Sequence, residues 1–186
     1  MKILVAVDGS KPSLHAVKYA IDLSTKLSDP THITLVSAHD DTGLRHVRKH
    51  VPAGSIQDHL RELSETDLKA ARKLLDKAGV PHDMVIKVGH VAEQIVRTAS
   101  AGKFDLVVLG GKGRSGFSDL LLGSVAQRVA SSASQPVALV KSDRLLYQIR
   151  PGHHLGQNYG RVVRITETEL TLREVVQDAT GDWVER

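Results

Sequence analysis

Short apolar runs alternate along this chain with longer stretches in which apolar positions recur every three or four residues. Residues 3–7 are continuous in apolar, mostly β-prone side chains, as in a strand covered on both faces. Asp8-Gly9-Ser10 closes the run. Ser10 is placed to cap a helix, and Pro12 falls in the first turn, where its missing N–H is tolerated. Leu14, Val17, Ile21 and Ser24 then recur at helical spacing, with Ala16 and Ala20 beside them. They predict a helix over 11–27, stopped by Ser28-Asp29-Pro30. Residues 33–38 and 84–88 predict a second and a third strand. Between them 56–78 predicts a long helix, with Leu60, Leu63, Ala71, Leu75 and Ala78 on its apolar face and Glu62, Glu65, Lys69, Arg72 and Lys73 on its wet side. Gly79 followed by Pro81 is a stop signal. Val91, Ile95 and Ala99 mark a short third helix that ends near Gly102. Residues 104–109 predict a fourth strand, 123–131 a fourth helix and 136–140 a fifth strand, whose leading Pro136 suits a sheet edge.

This is an α/β pattern in which every crossover is long enough for a helix. It predicts a five-stranded parallel sheet with helices on both faces and right-handed connections. Ligands of such sheets bind beyond the carboxyl ends of the strands, where the strand order reverses. Asp8 follows the first strand and Gly110 the fourth. If those strands are neighbours, Asp8, the glycine-rich stretch after Leu109 and the start of the fourth helix share one crevice.

Composition narrows the class. The chain has 186 residues, 41% hydrophobic, enough for one ordinary domain and an appendage. Without cysteine it has neither disulfides nor thiolate metal sites. No apolar run approaches membrane-spanning length, and the apolar run at the N-terminus is ended by Asp8, so it reads as a strand rather than a signal peptide. A soluble cytoplasmic protein is the expectation. Residues 142–186 hold six Arg, no Lys and seven acids, a net of −1, so with a total of +4 residues 1–141 carry +5. That surplus is too small and dispersed for nucleic acid but suits a small anionic ligand. The polar stretch 40–55 carries Arg45, His46, Arg48, Lys49 and His50. An anion- or metal-binding loop and a solvated connection both fit it; the second is the expectation, because the histidines lack a matching carboxylate spacing.

The stretch 110–124 reads Gly-Gly-Lys-Gly-Arg-Ser-Gly-Phe-Ser-Asp-Leu-Leu-Leu-Gly-Ser. Strand, glycine-rich loop and helix start, in that order, can hold a phosphate chain, because loop N–H groups form a nest and the helix N-terminus adds donors and positive charge. It is not a Walker A loop, since Gly113 rather than Ser or Thr follows Lys112, and a Rossmann fingerprint belongs after the first strand. On the residues alone, a phosphate site and an ordinary turn both remain open. Lys112 and Arg114 either supply positive charge or point to solvent.

Gly110, Gly113, Gly123 and Ser124 follow the spacing Gly-x-x-Gly, nine residues, Gly-Ser. With the opening Ile-Leu-Val-Ala-Val-Asp-Gly-Ser and the closing Gln135-Pro136-Val137-Ala138-Leu139-Val140, residues 1–141 resemble the nucleotide-binding branch of the universal stress protein family. The resemblance implies strand order 3-2-1-4-5 and an ATP site, with ATP or AMP as ligand and Mg²⁺ as a companion of the triphosphate. It places Asp8 near the ribose and phosphates, the backbone around Ala38 at the adenine edge and Leu109 beside the base. Gly110, Gly113, Gly123 and Ser124 would take the phosphates, with Val125 beginning the helix. Asp8 serves equally as a turn-capping residue. A phosphoryl-transfer enzyme needs a positioned base and dedicated metal-binding acids, and Asp8 alone stands near the site. The expectation is therefore a cytoplasmic stress-response regulator that binds ATP with little or slow hydrolysis. The alternative is a nucleotide-free interaction module or fusion scaffold. The resemblance also implies a homodimer formed through strand 136–140.

Residues 142–186 read as a small β-rich appendage. A strand is predicted over 145–149, a turn at Pro151-Gly152, a loop over 156–160 and a hairpin of 161–166 with 169–176, closed by Gly181-Asp182-Trp183; no helix is evident. Adjacent His153 and His154 point apart, which argues against a metal pair. Tyr147-Gln148-Ile149-Arg150-Pro151-Gly152, Leu155-Gly156-Gln157-Asn158-Tyr159-Gly160 and Val176-Gln177-Asp178-Ala179-Thr180-Gly181-Asp182-Trp183 resemble the C-terminal part of the PilP family of type IV pilus assembly lipoproteins. Pilus assembly proteins are implied as partners only if this segment is functional. A fusion of two segments, engineered or natural, is the expectation; an accessory β-element of an unusual stress protein is the alternative.

Overall fold

The computed structural model describes residues 1–27, 29–41, 54–112, 122–141, 144–148, 150–155, 160–165, 170–177 and 183–185. The chain divides into two compact units, 1–147 and 148–186.

In the first unit β1 (Lys2–Ala6), α1 (Lys11–Lys26), β2 (His32–His39), α2 (Ser55–Ala78), β3 (His82–Val88), α3 (Val91–Ala101), β4 (Leu106–Gly110), α4 (Ser124–Ser132) and β5 (Val137–Lys141) alternate as the periodicity predicts. The parallel strands lie in the order 3-2-1-4-5. Alternation along β1 builds two apolar layers. Ile3, Val5 and Val7 join Val17, Leu35, Leu68, Leu75 and Val108 on the α1/α2 side. Leu4 joins Val36, Ile95, Val107, Val129 and Leu139 on the α3/α4 side.

Three details differ from the pattern-based reading. First, β5 is not an edge. A further strand, β6 (Arg144–Gln148), lies beside it in a six-stranded sheet. Pro136 precedes the ladder, so it fits without an edge position. The β5 edge assigned above to a dimer partner is taken by the chain itself, and the sheet continues beyond residue 141. Second, Ala78 is exposed, lying beyond Leu75, the last buried position of α2. Third, the buried stripe of α2 runs Leu60, Ser64, Asp67, Leu68, Ala71 and Leu75, so it includes a hydroxyl and a carboxylate. Gly79 ends the helix at φ 65°, the left-handed cap that the Gly-x-Pro signal predicts.

The second unit consists of two small antiparallel sheets. β7 (His154–Leu155), β8 (Gly160–Ile165) and β9 (Leu170–Arg173) form one; β10 (Val175–Gln177) and β11 (Trp183–Glu185) form the other. The hairpin predicted over 161–176 therefore pairs β8 with β9 and then breaks at Glu174, and the rest of its second arm turns to Trp183–Glu185 instead. Among the described residues this unit contains no helix. His153 Nδ1 accepts from the Arg150 N–H at 3.1 Å, a local turn contact.

Candidate functional site

The carboxyl ends of β1, β2 and β4 enclose a cavity of about 240 Å³. The turn after β1 forms one wall. Asp8 Oδ1 accepts from the Ser10 N–H at 3.0 Å and from the Ser10 hydroxyl at 2.6 Å. Ser10 in turn caps α1 by accepting from the Ser13 N–H at 3.3 Å. Gly9 supplies the φ of 75° that the turn requires. Asp8 thus holds its turn and also lines the cavity.

β4 and α4 form the opposite wall. Leu109 is buried and Gly110 lies at the strand end. A side chain at Gly110 would meet the Pro12 carbonyl carbon at 2.7 Å, so the glycine lets β4 approach the first turn of α1. Gly111 donates to the Val140 carbonyl at 2.7 Å, and Gly123 to the Gly111 carbonyl at 2.8 Å. These two bonds tie the ends of the loop to the sheet. Gly123 occupies the cap position of α4 and offers no side-chain cap, so the first N–H groups of that helix open at the cavity mouth beside Ser124 and Val125. Half-buried Lys112 lines the same end.

The third wall is the end of β2, with Val36 and Ala38, backed by Val91 and Ile95 of α3. His39 also lines it, and its Nε2 lies 3.0 Å from Asp67 Oδ2 on α2. Beside it the Gly89 N–H donates to the His39 carbonyl at 2.9 Å, and His90 Nδ1 lies 3.1 Å from Asp40 Oδ2. The cavity therefore has an apolar slot between β2, α3 and Leu109, and a polar end at the start of α4.

Seven of the residues singled out from sequence, Asp8, Ala38, Leu109, Gly110, Gly123, Ser124 and Val125, line this one cavity. Gly113 and Arg114, and the basic loop residues Arg45, His46, Arg48, Lys49 and His50, lie outside the described residues. Pattern reading missed His39 and Asp67. The available signal was a carboxylate on the apolar stripe of α2, four residues after Leu63 and four before Ala71. Among the described residues no group of three or more metal-type side chains gathers, and no helix is long and apolar enough to cross a membrane.

A six-stranded α/β sheet with its cavity where the strand order reverses defines a doubly wound α/β fold. The sequence model of the universal stress protein family matches residues 1–141, and the chain belongs to that family. Universal stress protein MJ0531 of Methanocaldococcus jannaschii is 35% identical over 148 residues, 77% of this chain and 83% of that protein. A universal stress protein solved in complex with cAMP superposes with a TM-score of 0.57 at 25% identity, covering 75% of this chain and 96% of that one. The model of the pilus assembly protein PilP matches residues 126–186, overlapping the first match over 126–141. The type IV pilus inner membrane component PilP of Pseudomonas aeruginosa is 41% identical over 56 residues, 30% of this chain and 32% of that protein.

Proposed function

We propose that the cavity binds an adenine nucleotide, ATP or AMP, and that the protein acts as a cytoplasmic nucleotide-responsive regulator with little or slow hydrolysis. The observation that carries this reading is the pairing, in one cavity, of an apolar slot and an uncapped helix start. Leu109, Val36, Val91 and Ile95 suit the faces of a base, and the backbone at Ala38 suits its edge. Gly110, Gly123, Ser124 and the first N–H groups of α4 suit phosphate oxygens, with Lys112 adding charge. The volume of about 240 Å³ is just under the range of roughly 300–1,000 Å³ typical of small-molecule pockets, so a nucleoside fills it and the phosphates extend along the loop. The related protein solved with cAMP supports a nucleotide as the ligand class.

Asp8 is the one acid among the described lining residues, and its Oδ1 is engaged by Ser10. Among the described lining residues, a base and a set of metal ligands would both have to come from that carboxylate, which favours binding over turnover. Mg²⁺ would accompany the triphosphate through phosphate oxygens and water. Isothermal titration with ATP and AMP tests the reading. Saturable heat at a single site is expected; no heat with either nucleotide up to millimolar concentration contradicts it.

A further inference from the structure

β3 closes one side of the sheet, with β2 as its one neighbouring strand among the described residues. An edge strand offers a row of outward N–H and C=O groups to any chain that can pair with it. The side chains of β3 divide by alternation. Asp83, Val85 and Lys87 line a groove on the α3 side, together with Thr34, Arg97 and Thr98. Met84 and Ile86 belong to the α2 side, where Ile86 packs against the core and Met84 is left 44% exposed.

The order of residues along this edge is self-complementary. Val85 is the middle residue of the strand, and Asp83 and Lys87 lie two residues to either side of it. When a second copy pairs antiparallel about Val85, each Asp83 stands opposite Lys87 of the second copy on the groove face. Each Met84 stands opposite Ile86 of the second copy on the other face. Opposite charges facing across a ladder stabilise it, and like charges directly opposite destabilise it. A parallel pairing in the same register sets Asp83 against Asp83 and Lys87 against Lys87. An antiparallel slip of two residues loses both ion pairs. Lysine on an edge strand is ordinarily a guard against pairing. With Asp83 at the matching distance, the guard rejects those registers and admits one. Within its own chain Asp83 is 72% exposed and meets His32 Nε2 at 2.8 Å, and half-buried Lys87 forms no ion pair among the described residues. β6, at the other edge of the sheet, carries Arg144 and no acid, so it does not repeat the pattern.

We propose that β3 is a self-association surface, which joins two copies of this chain into one continuous sheet through an antiparallel β3–β3 ladder centred on Val85. Charge complementarity selects the occupant: the strand that best fits this edge is the same strand turned about a two-fold axis. No residue of β3 lines the cavity at the ends of β1, β2 and β4, so this reading and the nucleotide reading stand or fall separately.

The test is sedimentation velocity of the full chain over a concentration series, for the wild type, Asp83→Lys, Lys87→Glu and the double variant. The wild type is expected to dimerise. Each single reversal turns both ion pairs into like-charge pairs and weakens the dimer by at least about tenfold, with helical content unchanged. The double variant exchanges the two charges and restores the dimer to within about threefold of the wild type. An equal mixture of the two single variants also dimerises, because opposite charges then meet at both positions. A wild type that stays monomeric up to millimolar concentration overturns the proposal. So does a dimer that both single reversals leave within about twofold, which is formed elsewhere, or a double variant that stays as weak as the singles. If one single variant does not fold, the other and the double variant decide.

Discussion

The two units of this chain are built on different physical terms. In residues 1–147 one sheet is buried on both faces, with Leu4, Ile33, Leu35, Val36, Val107 and Val108 no more than 1% exposed. In residues 148–186, Val162 is the single buried apolar side chain among those described, while Val163, Ile165, Val175 and Val184 are 39% exposed or more. A doubly covered sheet fixes the ends of its strands, and a cavity between those ends inherits that rigidity. A pair of short antiparallel sheets with little core fixes much less. The cavity proposed as the ligand site lies wholly within the first unit.

Substitutions can break or sharpen this contrast. The largest effect is expected for Leu35→Ala, which empties a fully buried site under α2 and costs about 2–5 kcal/mol in chemical denaturation. Next is Gly110→Val. Its Cβ would meet the Pro12 backbone, so overpacking costs about 1–3 kcal/mol and α1 shifts off the cavity wall. Nucleotide affinity should fall with stability in this variant; unchanged affinity would remove Gly110 from the site. Ser10→Ala deletes the α1 cap and one bond to Asp8, for about 1 kcal/mol by thermal unfolding. The smallest effect is expected in the second unit. Val175→Thr, at a side chain 56% exposed, should change stability by about 0.5 kcal/mol or less and leave ATP binding alone. A larger loss there would mean that this unit is packed better than its exposure indicates.

The parts of this architecture that were legible in the sequence are those set by local rules. Continuous apolar runs gave strands, three-to-four spacing gave helices, and Gly79 and Ser10 gave their ends. The glycine spacing drew attention to residues that line one cavity. What was not legible depends on contacts distant in sequence. Nothing local to Asp67 says that it reaches His39 on β2, 28 residues away. Nothing in Pro136 says that β6 will lie beside β5. Gly110 looked like a phosphate ligand, yet its lack of a side chain is required first by the backbone of Pro12.

The most direct test of the central claim is amide hydrogen exchange of the full chain with and without saturating ATP. Nucleotide binding at the carboxyl ends of β1, β2 and β4 predicts slower exchange at the start of α4, in the β1–α1 turn and at the end of β2, with 148–186 unchanged. Protection confined to 148–186, or none at saturation, would contradict it.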